Sequence, residues 1–214
     1  CQYCDFYSLC TKEDKIIDGY LDAVCDHIKE AGELAPNYRV DTIYFGGGTP
    51  STLPIECIAQ IVDALKEHKY WQEPAEATIE VNPGTADLEK LKALRSLGFD
   101  RISFGVQSLN DVELKTIGRI HSAREALQAI AWAKEAGFNR ISADLIYGLP
   151  GQTLTSLRKT LEELTATGIE HVSVYGLIVE EGTPLCTLID EGKLNLPDED
   201  TAADMYEFVQ SFLK

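Results

Sequence analysis

One joint occurs three times in this chain. Gly98-Phe-Asp-Arg-Ile-Ser, Gly137-Phe-Asn-Arg-Ile-Ser and Gly168-Ile-Glu-His-Val-Ser each place a glycine, an apolar residue and two polar residues before a short apolar run. A glycine closing a helical pattern supplies the left-handed stop that other residues resist, and the run after it has the β-branched character of a strand. Three copies of a helix-to-strand joint require repeated βα units. With right-handed crossovers, such units give a parallel sheet that either stays open or curls into a barrel.

The periodicity on either side of the joints extends this register. Stretches 41–46 (DTIYFG), 77–81 (ATIEV), 100–106 (DRISFGV), 140–148 (RISADLIYG) and 171–179 (HVSVYGLIV) are expected to be buried strands. Helices are expected near 13–32, 54–69, 86–97, 109–117, 122–136, 153–167 and 200–213, with Ser122 and Thr153 as N-caps and Asp87 in a first turn, where the dipole favours an acid. Cys25 and Cys57 fall on apolar helix faces and read as reduced core thiols. No linker, low-complexity stretch or charge block divides the 214 residues, so one domain is expected.

Charge and hydropathy exclude some classes. A net charge of −16 repels phosphate backbones, so nucleic acid is not an expected partner. No apolar run approaches the roughly 20 residues that span a bilayer, so no integral membrane segment is expected. The first residues lack the basic and apolar regions of a signal peptide, and the expected location is cytoplasmic.

In either parallel architecture the chemistry belongs at the C-terminal ends of the strands. There the chain sets GGGTPS at 46–51, Glu80-Val-Asn-Pro-Gly-Thr, Gly105 to Ser108, Asp144 with YGLPGQT close behind, and Gly176 to Glu181. Consecutive glycines let the backbone approach a ligand and present its N–H groups. GGGTPS fits neither the Walker spacing nor the dinucleotide spacing, and a tight turn with no ligand is the alternative. Glu80, Gln107, Arg119 and Asp144 combine two acids, an amide and a guanidinium on one rim. Together they suit a zwitterionic amino acid and a ribose: carboxylates for the ammonium group and the diol, the guanidinium fork for the carboxylate. Each alone would pass for a salt bridge or a solvated charge. His121, close behind Arg119, is within reach of the same ligand. His27 and His68 are expected on helices facing solvent, and His171 opens a strand. No histidine pair has metal spacing, and there is no nucleophile elbow. Cys1-x-x-Cys4 fits a redox dithiol, half a zinc site or part of an iron–sulfur cluster.

Taken together, Cys1-Gln-Tyr-Cys4-Asp-Phe, GGGTPS, Glu80-Val-Asn-Pro-Gly and Phe104-Gly-Val-Gln107-Ser resemble the radical S-adenosylmethionine (SAM) enzymes. Within these the chain is most similar to the oxygen-independent coproporphyrinogen III oxidase branch, and there to the HemW-like haem chaperones. The resemblance implies an α/β fold, a partial (β/α)₆ TIM-like barrel with a cluster and SAM at the C-terminal strand ends. It implies that residues 1–214 are the catalytic barrel domain cut at both ends, without the first strand and the C-terminal domain. The family signature is Cys-x-x-x-Cys-x-aromatic-Cys, whose three thiolates hold a [4Fe-4S] cluster while SAM chelates the fourth iron. Cys1 and Cys4 match the second and third cysteines and Tyr3 the aromatic residue, which puts the first cysteine four residues before Cys1. Gly47, Gly48 and Thr49 match the segment that meets the SAM amino group, and Glu80 matches an acid of the same pocket. Gln107 and Asp144 match ribose contacts, Arg119 the partner of the SAM carboxylate, and Leu177 and Ile178 the backbone at adenine.

The resemblance also implies radical chemistry. A reduced cluster passes one electron to the sulfonium, giving methionine and a 5′-deoxyadenosyl radical that abstracts a substrate hydrogen. The implied role is haem transfer or porphyrin metabolism. The implied partners are haem or porphyrin, a haem-accepting protein and an electron donor for the cluster. Two departures bear on that role. Coproporphyrinogen dehydrogenases carry a further cysteine two residues after the one matched by Cys4, whereas this chain has Phe6, as the HemW-like group does. The haem-binding His-Asn motif of that group would follow residue 214. The rival readings are the dehydrogenase that decarboxylates propionates of coproporphyrinogen III and a non-catalytic haem carrier. A zinc-dependent barrel hydrolase is disfavoured by the absence of its histidines. Cys10 matches no ligand of the family and reads as a surface thiol.

Overall fold

In the computed structural model, which describes residues 1–6, 13–68, 70–72 and 76–214, the repeated joints connect helices to strands of one parallel sheet. Cys10 lies outside the described residues. The strands are β1 (Thr42–Phe45), β2 (Glu76–Val81), β3 (Arg101–Gln107), β4 (Arg140–Tyr147) and β5 (His171–Gly176). The helices are α1 (Asp14–Leu34), α2 (Ile55–Glu67), α3 (Leu88–Leu97), α4 (Asp111–Thr116), α5 (Ala123–Glu135), α6 (Leu154–Ala166), α7 (Pro184–Asp190) and α8 (Glu199–Phe212). Every neighbouring strand pair is parallel and the spatial order is β1-β2-β3-β4-β5. A doubly wound sheet reverses its order at a switch point; an unbroken sequential order keeps the crossover helices on one face, as in a barrel wall.

The joints explain the register. Gly98, Gly137 and Gly168 have φ of 115°, 89° and 71°, the left-handed stop that their position requires. Phe99 and Phe138 are buried behind them, and Phe99 meets Phe45 and Trp71 edge-on at 4.9 and 5.3 Å. The polar residues knit the feet of the strands. Asp100 Oδ1 accepts from Ala77 N at 2.7 Å, Arg140 pairs with Asp100 at 3.2 Å, and Arg101 and Arg140 each lie 3.8 Å from a Glu76 oxygen. In the third copy His171 instead meets the Ser142 hydroxyl at 2.8 Å.

Alternation along the strands sorts the two faces. Ile79, Ile102, Phe104, Ala143 and Leu145 join Ile58, Leu91, Leu94, Ile130, Leu161 and Leu164 of the helices in one core. Each such large side chain removed from water contributes about 1.5–3 kcal/mol. The alternate positions, Thr78, Glu80, Ser103, Ser142 and Asp144, are polar, and they carry the chemistry.

Ser122 and Thr153 cap α5 and α6 in capping boxes with Glu125 and Ser156. Several expectations need correction. Asp87 precedes the first turn of α3 as its N-cap, accepting from Lys90 N. The outer strands are not buried: Tyr44 and Tyr175 are exposed, because among the described residues β1 and β5 each have a neighbour on one side only. The last strand stops at Gly176, which frees residues 177–179 for the mouth of the sheet. Cys25 and Cys57 are half-buried rather than core. His68 is half-buried as the C-cap of α2, while His27 is exposed. Helix α7 has no counterpart among the expected elements. Its seven residues are too short to display a period, although Thr183 and Pro184 form a regular N-cap and first position.

Candidate functional site

A cavity of about 670 Å³ opens at the C-terminal ends of the strands, and every site residue singled out in the sequence lines it. Behind β1 come Gly47, Gly48 and Thr49; β2, β3 and β4 supply Glu80, Gln107 and Asp144. Leu177 and Ile178 follow β5, Arg119 follows α4, and Cys1 and Cys4 stand at the mouth. His121 is an exception among the weaker candidates: it is buried one layer behind the wall.

The three glycines do different work. A Cβ on Gly46 would lie 2.6 Å from the Tyr44 ring and 3.2 Å from Glu80 Oε1, so Gly46 lets those side chains cross the backbone. Gly47 has φ of 97°, and a Cβ there or on Gly48 would meet nothing within 4 Å. These two leave an open cradle of bare backbone beside Thr49. The cradle is tied to the next loop. Ser51 Oγ, fully buried, is 2.6 Å from Thr85 Oγ1 and accepts from Asn82 N at 3.2 Å, while Thr85 donates to Asn82 O at 2.8 Å. Lys90 Nζ donates to Ser51 O and Leu53 O at 2.5 and 2.8 Å. Burial lowers its pKa despite the nearby Asp87. Ser51 and Thr85 fall within the sequence motifs but carry no assigned role there, and sequence reasoning missed Lys90; none of the three lines the cavity.

The acids are held by neutral donors. Tyr44, though exposed, donates to Glu80 Oε1 at 2.7 Å; partial desolvation, and then that carboxylate, push the phenol's pKa well up. Ser103 Oγ is 3.3 Å from both Asp144 oxygens. Burial raises the Asp144 pKa against the opposing pull of Ser173 and Ser103. Opposite them, Arg119 donates through Nη2 to Gly105 O and through Nη1 to Cys1 Sγ at 3.1 Å. Its Nε is buried with no partner among the described residues. Gly105 is needed for this crossing, because a Cβ would lie 2.9 Å from Arg119 Nη2. Gln107 enters the cavity from a tight three-residue turn. Its φ is 67° and Ser108 N donates to Val106 O at 2.8 Å across it, a strained γ-turn costing about 1–3 kcal/mol.

The cysteine segment is docked rather than dangling. Gln2 N donates to Ile117 O and Leu185 N donates to Gln2 O, both at 3.0 Å. The second bond uses an N–H that the start of α7 would otherwise leave unpaired. Gly118, at φ of 71°, admits the segment, since a Cβ would lie 2.8 Å from Gln2 Cγ. Tyr3 packs on Ile117, Ile146 and Leu149, and burial raises its pKa against the pull of Arg119. Beneath it Glu113, 3% exposed, accepts from Ser108 Oγ at 2.6 Å, Gln152 Nε2 at 3.2 Å and Ser156 Oγ at 2.5 Å. Gln152 Oε1 in turn accepts from Gly148 N and Leu149 N, fixing the loop under Tyr3. Cys1 and Cys4 are free and exposed. Among the described residues no three His, Cys, Asp or Glu side chains group as a metal site.

The wall therefore offers two acids and bare glycine backbone facing a guanidinium, with two thiols beside the latter. That set is complementary to a ligand bearing an ammonium group, a carboxylate and hydroxyls.

Known proteins resemble this chain along most of its length. The model of the radical SAM superfamily matches residues 1–164. The chain is 37% identical over 212 residues to the heme chaperone HemW of Bacillus subtilis, covering 99% of this chain and 56% of the relative. It is 39% identical over 176 residues to the mitochondrial radical S-adenosyl methionine domain-containing protein 1 of Bos taurus, covering 82% and 40%. The structure of coproporphyrinogen III oxidase (HemN) from Escherichia coli, a radical SAM enzyme, aligns with a TM-score of 0.87 at 29% identity, over all of this chain and 49% of that one. The chain thus spans about half the length of the relatives it matches, and its sheet is part of a TIM-like barrel of the HemN kind. A family model covering most of the chain and a barrel that aligns with the whole of it lead to one conclusion: the chain belongs to the radical SAM superfamily.

Proposed function

We propose that the cavity binds SAM, that Cys1 and Cys4 supply two of the thiolates of a [4Fe-4S] cluster, and that the chain is the barrel domain of a longer HemW-like haem chaperone. Family membership implies both cofactors. The observation that carries their placement is Arg119: its Nη1 meets a cysteine sulfur while its Nε is buried without a partner among the described residues, in a cavity whose other charged lining residues, Asp5, Glu80, Asp144 and Glu180, are acids. An orphaned buried donor is costly, on the order of 1–3 kcal/mol, and a ligand carboxylate would satisfy it. The open cradle at Gly47 and Gly48 fits the same ligand.

Bound together, the two cofactors supply one-electron reductive cleavage of the sulfonium C–S bond. The chain's residues orient and exclude. Arg119 would hold the carboxylate, the Gly47–Thr49 segment and Glu80 the ammonium group, and Gln107 and Asp144 the ribose hydroxyls. Leu177 and Ile178 would offer backbone and apolar surface to adenine. Tyr3, packed on Ile117, Ile146 and Leu149, closes the floor against water.

The haem role rests on the relatives called heme chaperones and on Phe6, which stands where the oxidase branch has a cysteine. Haem or porphyrin, a haem-accepting protein, an electron donor and a cytoplasmic setting belong to this proposal. Among the described residues no helix is long and apolar enough to cross a membrane. The likeness to HemN favours a second reading, a coproporphyrinogen dehydrogenase. The complete protein, reconstituted without oxygen, is expected to contain iron and sulfide, to release 5′-deoxyadenosine from SAM and to bind haem. Vinyl product and carbon dioxide from coproporphyrinogen III would establish the dehydrogenase instead. Absence of any cluster would overturn both readings.

A further inference from the structure

His121 is 4% exposed and is not among the residues that line this cavity, yet it touches two elements of the wall. Its Nδ1 is 3.2 Å from Asn82 Oδ1 and its Nε2 3.2 Å from Val106 O. Two oxygens thus flank a ring that, when neutral, carries a single N–H. The charged ring would satisfy both. Burial, and then the Arg119 guanidinium, push its pKa down to about 4, against the weaker pull of Val106 O, Glu125 and Asp111. The neutral ring must therefore choose.

Val106 O cannot turn, because it belongs to the backbone of β3 and already closes the γ-turn that carries Gln107. The Asn82 carboxamide can exchange its oxygen and its N–H₂ by half a rotation. We propose that His121 is a positioning residue that sets the hydrogen-bonding polarity of the cavity wall. Its Nε2–H donates to Val106 O and holds the strained turn presenting Gln107. Its Nδ1 accepts from the Asn82 carboxamide and so turns the Asn82 oxygen toward the cavity that Asn82 lines. One buried imidazole thereby makes Asn82 an acceptor for a ligand hydroxyl or ammonium group, and couples the β2 loop to the β3 turn. Its assignment as a neutral Nε2–H tautomer stands whichever ligand fills the cavity; the consequence for SAM rests on the function proposed above.

The test is long-range ¹H–¹⁵N spectroscopy of the complete protein labelled at histidine, with His121 assigned by its loss in His121→Gln. At neutral pH the expected ring is neutral with its proton on Nε2. A charged ring, or a proton on Nδ1, would overturn the proposal. Asn82→Asp cannot donate to Nδ1 and is expected to draw a proton onto Nδ1 in the same spectrum, as the charged ring or the other neutral tautomer; a ring that stayed neutral with its proton on Nε2 would overturn the coupling. In SAM titrations of the reconstituted protein, His121→Ala is expected to raise Kd about tenfold. His121→Gln, whose amide can replace Nε2–H at Val106 O, should recover part of the loss. Equal losses in the two variants would count against positioning through Val106. The stated tautomer with no SAM binding by any form would leave His121 as assigned and overturn the functional proposal.

Discussion

Replacing Glu113 by alanine should loosen the floor of the site from below, by an amount that its partners set. The carboxylate accepts three hydrogen bonds at 2.6, 3.2 and 2.5 Å from Ser108, Gln152 and Ser156. A hydrogen bond to a charged group is worth about 1.5–3 kcal/mol, so the gross loss is roughly 4.5–9 kcal/mol. Part returns. Ser156 Oγ keeps Thr153 O at 3.0 Å and Gln152 Nε2 keeps Ile146 O at 3.3 Å, so Ser108 alone loses its acceptor, and the cost of burying a charge disappears. The net destabilisation is expected to be about 3–4 kcal/mol. Glu113→Gln keeps the shape and one carbonyl oxygen, and should cost about 1–2 kcal/mol. Urea unfolding at pH 7 reads both, with an unchanged slope showing that compactness is unaltered. Because Glu113 holds Gln152, and Gln152 holds Gly148 and Leu149 beneath Tyr3, amide exchange at Gln2 and Leu149 should quicken in Glu113→Ala. A loss under about 1 kcal/mol, or exchange unchanged at those amides, would refute this chain of support.

The same geometry sets three further outcomes. His121 has a folded pKa of about 4 against an ordinary 6.5, so the unfolded chain binds the extra proton first and stability falls as pH drops from 6.5 toward 4. The loss, about 3 kcal/mol over that window, should be missing from His121→Gln when the two are unfolded in urea side by side. Gly118→Ala forces φ of 71° on a Cβ 2.8 Å from Gln2, and should lower stability by about 1–2 kcal/mol while undocking the cysteine segment, seen as faster alkylation of Cys1 and Cys4. Gly47→Ala meets no atom but strains φ of 97°, so stability should fall by about 1 kcal/mol and SAM affinity by more than that strain alone explains.

The repeated joint makes the sheet legible from the chain alone. A left-handed glycine, an apolar residue and two polar residues have one use at the foot of a parallel strand, and Phe99, Asp100 and Arg140 fill it. The wall is legible because it is made at strand ends, where polar residues interrupt apolar runs. Whatever acts from behind that wall escapes. Lys90 and Glu113 look in sequence like ordinary helix-surface charges, yet Lys90 reaches the backbone of Ser51 and Leu53 and Glu113 reaches Gln152 and Ser156, all far along the chain. His121 looks in sequence like a ligand contact, because proximity to Arg119 along the chain says nothing of depth. Helix α7 and its bond to Gln2 stay hidden because seven residues carry no period and the contact spans the chain.

The central claim is that Arg119 and the strand-end acids form a SAM site beside a cluster held partly by Cys1 and Cys4. Calorimetric titration of SAM into the complete, anaerobically reconstituted protein tests it most directly. One equivalent should bind saturably, and Arg119→Ala should weaken that binding at least about tenfold with iron and sulfide content unchanged. No saturable binding by a protein that holds its cluster, or equal affinity in the variant, would contradict the account.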